Sequence, residues 1–394
     1  MPKILFVNSV FPDGSTGNII KNISNYISKK GFECYYAYSC GKERKSNEYI
    51  INSRLDIKLS ILQTRILGRH GFYNVYNTKK LIKWIDQISP DIIHLHNIHG
   101  HYINVKILFD YICYRNIQVV WTMHDCWAFT GHCAHYEAIE CNKWINGCNN
   151  CKGLKQYPIT YFIDPSLKNW EVKKKIFTNY KDIKIVAPSN WLLKQLKNSF
   201  FKYYDLRLIN NGIDFNNFYP NKYFRQENLR VLGFVDKWKH PKNKKIIDML
   251  NGMLPENTQL VLVGDKNWSI EVSIVKNAIR KERIADIKQM QKLYSSMDIF
   301  INLTREDTFP TVNIESLACG TPVITTNVGG SPEIITDETG MIIDEYTDIK
   351  KFVNYYMENR EIVREKCVKR AKDNFDKLEM QKQYYNLYKE ILKI

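Results

Sequence analysis

Short apolar runs alternate with helical patterns along most of this chain. The run KILFVNSV (residues 3–10) is followed by the turn sequence DGSTG and then by NIIKNISNYISKKG, whose apolar residues recur at helical spacing. The same order returns around DIIHLHN and IQVVWTMHD. Strands that alternate with helices form parallel sheets, because a parallel connection needs a crossover about as long as a helix. The alternation therefore predicts an α/β protein.

The alternation runs in two series. The first ends at the Asn-rich stretch NNGIDFNNFYPNKYFRQEN (210–228), and the second begins at LRVLGFVD. At roughly 150 residues per domain, a chain of 394 residues suits two domains. We therefore expect two Rossmann-like lobes, residues 1–217 and 218–374, that face each other across a cleft. The stretch from residue 363 to the end has a continuous helical pattern.

Positive charge is concentrated in the first lobe. Residues 1–216 contain 29 Lys and Arg against 16 Asp and Glu, a net of +13, and the whole chain carries +16. This excess suits an anionic partner such as a phospholipid surface, a phosphorylated acceptor or nucleic acid. Solubility and a lysine-rich composition explain it equally well. The basic and apolar stretch NWLLKQLKNSFFKYY likewise has two interpretations, a helix that lies on anionic lipid or one that packs into the core.

The sequence predicts no membrane-spanning helix, because no run of about 18 uncharged apolar residues occurs. The apolar stretch near the N-terminus is too short for a signal peptide and predicts a buried first strand. We therefore expect a cytoplasmic protein that can contact the inner face of the cell membrane.

Ligands of parallel α/β sheets bind at the carboxyl ends of the strands, so the loops that follow strands are the candidate sites. In the stretch EDTFPTVNIESLACGTPVITTNVGGSPEII (306–335), Asp307 and Glu315 flank the start of a predicted helix. A helix start attracts anions, so two carboxylates at this place call for a separate explanation. The candidate loops are residues 11–17, 94–101, 122–131, 235–243, 264–268 and 304–311.

The segment SSMDIFINLTREDTFPTVNIESLACGTPVITTNVGGSPEII resembles the donor-binding segment of retaining glycosyltransferases of family 4, which have the GT-B fold. VAPSNWL, NNGIDFNNFYP and TMHD stand in compatible order elsewhere. The resemblance is strongest to enzymes that make bacterial surface polysaccharides of the capsular or colanic-acid type. It implies transfer of a sugar from a nucleotide diphosphate sugar to a hydroxyl, with retention of configuration and without a catalytic metal. It also implies that the last helix, residues 375–394, packs back on the first lobe.

The resemblance assigns the two carboxylates to hydroxyl groups. Glu315 matches the family residue that binds the donor ribose, and Asp307 matches the residue that holds the donor sugar. A carboxylate can accept two charge-assisted hydrogen bonds from a vicinal diol. The family usually has Glu at the first position, so Glu306 is the alternative to Asp307. The resemblance implies that the diphosphate is bound by backbone N–H groups near Phe309, Thr311 and Val312.

A lysine is expected on the diphosphate as well. Lys242 stands where the family places a lysine that neutralises the leaving nucleotide. The family often has an arginine a few residues earlier, but no arginine occurs between residues 231 and 243. Lys237 or Lys239 is the candidate replacement, although an ammonium group makes poorer bidentate contacts with phosphate. The alternative interpretation is that Lys242 belongs to a run of solvated lysines that bind no ligand.

Two residues of the first lobe are candidates by family position. Gly17, in the glycine loop before the first helix, is expected to contact donor or acceptor, since glycine allows close approach of the backbone. His124 is expected to face the cleft and to hydrogen-bond the donor sugar. The alternative interpretation is that His124 is a structural residue at the end of a strand, with its hydrogen bonds made within the fold. On the acceptor side we expect His99 or His101.

Four of the ten cysteines lie in the loop of residues 126–151. The last two form a C-x-x-C pair, which is zinc-ligand spacing, and four thiolates can make a closed tetrahedral site. Disulfides would need an oxidising compartment, and free thiols are the remaining alternative. We expect a structural zinc bound by Cys133, Cys141, Cys148 and Cys151.

The sequence thus favours a glycosyltransferase that uses a nucleotide sugar and a lipid-linked or oligosaccharide acceptor, at or near an anionic membrane and without nucleic acid. A basic, zinc-containing nucleic-acid-binding protein is a second hypothesis, but it leaves Asp307, Glu315 and the paired α/β pattern unexplained. Another sugar-nucleotide enzyme of similar fold, such as an epimerase or a phosphorylase, is the third.

Overall fold

The structure, a computed structural model, describes residues 1–41, 45–221, 227–238, 240–265 and 278–394. It divides into two compact units. Unit 1 contains Met1–Asn210 together with Met380–Ile394, and unit 2 contains Asn211–Glu379. Part of the predicted site loop 264–268 and the alternative phosphate ligand Lys239 lie outside the described residues.

Unit 1 is built on a parallel sheet of seven strands in the order β3-β2-β1-β4-β5-β6-β7. Alternate residues of the interior strand β1 enter two different cores, because successive side chains of a strand point to opposite faces. Leu5 and Val7 pack in one core, and Ile4 and Phe6 pack in the other. The strands are β1 Lys3–Asn8, β2 Glu33–Tyr38, β3 Glu48–Ile50, β4 Ile92–Leu95, β5 Gln118–Thr122, β6 Ile183–Ala187 and β7 Asp205–Leu208.

Helices cover both faces of this sheet and supply its crossovers, as buried parallel strands require. They are α1 Gly14–Ser28, α2 Arg54–Leu67, α3 Val75–Ile88, α4 Val105–Arg115, α5 Ser166–Thr178 and α6 Asn190–Asn198.

Unit 2 repeats the plan with a six-stranded parallel sheet in the order β10-β9-β8-β11-β12-β13. The expectation of two Rossmann-like parallel α/β units is therefore confirmed. The strands are β8 Arg230–Phe234, β9 Gln259–Gly264, β10 Ala278–Glu282, β11 Ile299–Asn302, β12 Val323–Thr326 and β13 Gly340–Ile343. The helices are α7 Val235–Trp238, α8 Lys244–Met253, α9 Ile287–Ser295, α10 Thr311–Ala318, α11 Ser331–Ile334, α12 Lys350–Glu358 and α13 Arg360–Phe375.

The continuous helix predicted for the tail is wrong, because the tail breaks at Asp376 into α13 and α14, Lys377–Leu392. Asp376 is extended and forms an isolated parallel bridge with Ile213. The Ile213 N–H donates to the Phe375 carbonyl at 2.8 Å, and the Ile213 carbonyl accepts from the Lys377 N–H at 3.1 Å. These two bonds satisfy backbone groups at the break, so a tertiary contact ends a helical pattern that the local sequence would continue.

Helix α14 packs on unit 1 through buried tyrosines. The Tyr388 hydroxyl lies 2.6 Å from Nδ1 of His94 on β4. The Tyr384 hydroxyl lies 2.9 Å from Oγ1 of Thr122 on β5. Since Thr122 also lies 2.8 Å from His94 Nε2, these four side chains form one buried hydrogen-bond chain. His94 is therefore held on both ring nitrogens by the fold.

The stretch NWLLKQLKNSFFKYY packs into unit 1. Leu192 and Leu196 on α6, and Phe201 just after it, are fully buried. These three side chains are therefore not available for a lipid surface. Among the described residues, no helix is long and apolar enough to cross a membrane.

Replacing Tyr388 with phenylalanine is expected to lower the free energy of unfolding by about 1–3 kcal/mol. The change leaves Nδ1 of the buried His94 without its 2.6 Å partner. Urea denaturation is the measurement, and Tyr203→Phe is the control, since Tyr203 is 86% exposed. Equal losses in the two variants would contradict the role given to this bond.

Candidate active site

Glu315 lies one turn into α10 and is half-buried. The hydroxyl of Tyr294, on α9, donates to Glu315 Oε2 at 3.2 Å. Burial raises the pKa of the Glu315 carboxyl to about 7, and hydrogen bonds from Tyr294 and Thr311 oppose the shift. This carboxylate accepts few hydrogen bonds that would stabilise its charge. Additional hydroxyl donors would therefore favour its ionised form.

Asp307 lies in the loop between β11 and α10, close to Lys237 at the end of α7. The Lys237 ammonium is 3.8 Å from Asp307 Oδ2 and 3.2 Å from Oγ1 of Thr304. Asp307 Oδ1 accepts from the Phe309 N–H at 3.3 Å. The structure thus brings two predicted site residues, Asp307 and Lys237, to the same loop pair at the carboxyl end of the sheet.

Glu306, the alternative to Asp307, is also half-buried. Within the described part of the chain, its Oε1 is buried and has no hydrogen-bond partner. A buried carboxylate oxygen without a partner costs free energy, so this atom suits a hydroxyl brought by a ligand. Both neighbouring acids therefore stay candidates for the sugar contact.

Lys242 lies in the single turn Pro241–Asn243, beside an arginine that the sequence pattern did not indicate. Arg305, which follows β11, donates from Nη2 to the Lys242 carbonyl at 2.6 Å and from Nε to Asn243 Oδ1 at 2.5 Å. Burial, followed by the charge of Arg305, lowers the pKa of His240 at the same turn. A guanidinium thus lies beside Lys242, although it comes from the loop after β11 and not from residues 231–243.

The start of α10 carries the predicted backbone ligands. Phe309 is buried, with its ring 5.7 Å from that of Phe375. Pro310 occupies the N-cap position and makes no side-chain capping bond. Thr311 and Val312 are half-buried in the first turn, so the positive end of the helix lies beside the loop that carries Asp307.

His124 belongs to unit 1, in the loop after β5. Its Nε2 lies 2.9 Å from Nδ1 of His96, and the two rings stack. Burial lowers the pKa of His124 to about 4, against the opposing charge of Asp125. The imidazole is therefore neutral at physiological pH, and one of its nitrogens is occupied by His96.

Asp125, which the sequence reasoning overlooked, holds one of the predicted acceptor-side histidines. Its Oδ2 lies 2.5 Å from His99 Nε2, and its Oδ1 accepts from the Trp127 N–H at 2.8 Å. Burial by itself would raise the pKa of Asp125, but His99 and the hydrogen bonds hold it at about 2. His101 instead lies 3.2 Å from the Thr64 hydroxyl, and burial lowers its pKa to about 4.

Gly17 is buried within α1, and the fold alone accounts for it. A Cβ at this position would lie 2.9 Å from the carbonyl carbon of Pro12 and 3.0 Å from its oxygen. Close packing of α1 against the preceding loop therefore requires glycine here. Contact of Gly17 with a ligand stays a prediction.

The four cysteines of the loop 126–151 come together only in part. The sulfurs of Cys133 and Cys151 lie 4.0 Å apart, near the roughly 3.8 Å expected for two thiolates on one tetrahedral zinc. The Cys148 sulfur accepts from the Gly131 N–H at 3.1 Å. Among the described residues, no group of three or more His, Cys, Asp or Glu side chains is placed to hold a metal ion. The structural zinc expected at these four cysteines, which include Cys141, therefore stays a prediction.

Two family descriptions match successive parts of the chain. "Glycosyltransferase Family 4" matches residues 16–217, and "Glycosyl transferases group 1" matches residues 216–374. The chain belongs to glycosyltransferase family 4. Together the two matches span both units and include every predicted site residue of this glycosyltransferase.

Relatives place the glycosyltransferase among enzymes related to polysaccharide biosynthesis. It is 24% identical over 375 residues, 87% of each chain, to the Escherichia coli K12 protein described as "Putative colanic acid biosynthesis glycosyl transferase WcaC". Sucrose-phosphate synthase from Thermosynechococcus elongatus matches with a TM-score of 0.68 at 15% identity, over 100% of both chains. Anabaena Alr3699/HepE in complex with UDP matches with a TM-score of 0.65 at 14% identity, over 99% and 100% of the chains. The structural matches identify the fold as GT-B.

Replacing Glu315 with glutamine is expected to change how stability depends on pH. The pKa of Glu315 is about 7 in the folded protein and about 4.5 for an exposed glutamate, so folding favours the protonated form. The wild type therefore loses stability as pH rises from about 4.5 through 7, whereas the amide does not. Relative to pH 5, the variant should gain on the order of 2 kcal/mol over wild type at pH 8.

Urea unfolding of the protein without ligand at the two pH values measures this gain. Glu361→Gln is the control, because Glu361 is exposed on α13. A difference between Glu315→Gln and wild type that stays the same at both pH values would show that the carboxyl titrates normally.

Proposed function

We propose that this glycosyltransferase transfers a sugar, with retention of configuration, from a nucleotide diphosphate sugar to a hydroxyl of a lipid-linked oligosaccharide in bacterial surface-polysaccharide synthesis. The observation that carries the proposal is the grouping of Lys237, Lys242 and Arg305 with the acids of the loop before α10. Charges of both signs at one strand end suit a ligand that has both phosphates and hydroxyls.

Glu315 is proposed to bind the ribose of the donor. Its carboxylate already accepts from Tyr294 on Oε2, and the residue as a whole is half-buried. A ribose diol would add two donors, which would offset the cost of keeping a charge in this half-buried place. The solved HepE complexes with UDP and with UDP-glucose support a nucleotide sugar as the donor class.

The cations are proposed to stabilise the leaving nucleotide. As the bond between sugar and diphosphate breaks, negative charge grows on the phosphate, and fixed positive groups nearby lower the barrier. Lys242 and Arg305, joined through the Lys242 carbonyl, would serve this purpose together with the N-terminus of α10. We propose that no catalytic metal takes part.

Asp307 or Glu306 is proposed to hold the donor sugar, and a hydrogen bond to the sugar is proposed for His124. Asp307 shares its charge with Lys237, whereas Glu306 Oε1 has no partner within the described residues. Neutral His124 can offer a hydrogen bond without repelling a positive centre that develops at the reacting carbon. A leaving phosphate oxygen is proposed to take the proton of the acceptor hydroxyl.

A donor screen that measures nucleotide release tests this function. Glu315→Ala should raise the KM for the donor about tenfold or more, because a charged hydrogen-bond partner is lost. Lys242→Ala should lower kcat/KM by about 100-fold. Lys245→Ala is the matched control, since this exposed lysine pairs with Glu345 on the surface. Normal release in both site variants would refute the site.

Calorimetry with UDP, GDP and duplex DNA separates the enzyme from the nucleic-acid-binding alternative. We expect heat of binding for one of the nucleotides and none of comparable affinity for DNA. The opposite pattern, with binding of DNA that weakens steeply as salt rises, would favour the alternative.

A structural zinc is proposed for the four-cysteine loop. Elemental analysis of purified protein should find about one zinc per chain, and Cys148→Ser/Cys151→Ser should lose it. Cys40→Ser is the control, because this cysteine is exposed and lies outside the loop. Protein that folds normally and carries no zinc would dismiss the site in favour of free thiols.

A further inference from the structure

Helix α2 of unit 1 exposes the side that a surface helix normally buries. The residues it buries are Ser60 and Thr64, at 2% and 1% exposure. Four of its apolar side chains point the other way, at spacings of four, three and four residues that place them on one face, whereas Ile57 and Ile61 are half-buried. This apolar stripe consists of Leu55, Leu59, Leu62 and Ile66, which are 66%, 52%, 54% and 41% exposed.

The orientation of α2 is fixed by bonds on its polar side. The Thr64 hydroxyl lies 3.2 Å from His101 Nδ1, and Asn74 Nδ2 donates to Ser60 Oγ at 3.2 Å. The helix begins with a capping box between Ser53 and Asp56 and ends at Gly68 in the left-handed conformation. A rotation that buried the stripe would break the inward bonds, so the exposed leucines are a built feature of the fold.

A second exposed apolar segment lies beside the last turn of α2. The Tyr161 N–H donates to the Arg65 carbonyl at 2.9 Å, which fixes this segment beside the helix. Tyr161, Phe162 and Ile163 are 58%, 78% and 47% exposed. Exposed apolar groups that adjoin one another mark an interaction surface more often than single ones do.

Positive charge borders the stripe. Arg54, Lys58 and Arg65 are exposed and lie along one side of it. The acid of this helix, Asp56, has its carboxylate engaged by Ser53 in the capping box. An apolar stripe with a cationic border is complementary to a bilayer that has an apolar interior and anionic headgroups.

We propose that the stripe of α2, with residues 161–163, docks on an anionic phospholipid surface. The helix has 14 residues and is therefore too short to span a bilayer, so it would lie in the plane of the headgroups with its leucines toward the acyl chains. The inference rests on the proposed function in one respect, since a lipid-linked acceptor is presented at such a surface. It moves the lipid contact from the buried α6 to α2.

Flotation with phosphatidylcholine vesicles, with and without phosphatidylglycerol, tests the docking. The wild type should float with the anionic vesicles and do so less as salt rises. Leu59→Glu/Leu62→Glu should lower the bound fraction about tenfold or more, because the stripe loses apolar contact and gains negative charge. Ile362→Glu on α13 is the matched control, since this helical residue is 50% exposed. Lys58→Glu/Arg65→Glu should remove the preference for anionic vesicles.

Vesicle binding unchanged by the two leucine substitutions would overturn the proposal. Light scattering without lipid gives a second test: a wild-type dimer that Leu59→Glu/Leu62→Glu converts to a monomer would mean that the stripe binds another copy of the chain. Thermal melting checks that the variants fold, which the exposure of both leucines favours. No donor or acceptor is present in the flotation, so a failure there with normal nucleotide release would leave the proposed function intact.

Discussion

The side-chain amide of Asn243 is the contact on which the candidate donor site depends. It is fully buried, and its Nδ2 donates to the carbonyls of Lys237 and Leu303 at 2.8 and 2.7 Å. Its Oδ1 accepts from Arg305 at 2.5 Å. A buried amide without these partners would cost free energy, so folding of unit 2 itself fixes the loops after β8 and β11 against each other. The positions of Lys237 and Lys242 follow from that one residue.

Much of the fold could be predicted because buried parallel strands leave short apolar runs that helical patterns separate. Two errors show where local pattern fails. The break at Asp376 depends on Ile213, which is distant in the sequence and leaves no local signal. No element was predicted for residues 54–67, where α2 buries Ser60 and Thr64. In both cases tertiary contacts outweigh the local rule.

The candidate site could be predicted where one continuous segment carries it, as for Asp307 and Glu315. Arg305 was overlooked as a neighbour of Lys242 because their proximity depends on strand order: β8 pairs with β11. The same reason explains Asp125 and His99, which follow the paired strands β5 and β4. Adjacent parallel strands end at the same edge, so residues far apart in sequence meet there. Only the strand order of the sheet shows which of them meet.

Under the proposed role of Glu315, its electrostatics would link donor binding to protonation. Without ligand, burial raises its pKa to about 7, so the charged and neutral forms are both populated near neutral pH. Hydroxyl donors bind the charged form better, and a ligand that supplies two of them must therefore lower the pKa and release a proton. Linkage is reciprocal, so a higher pH would strengthen binding of the proposed diol. A carboxylate to which the fold supplies few hydrogen-bond donors thus suits a ligand that carries hydroxyl donors.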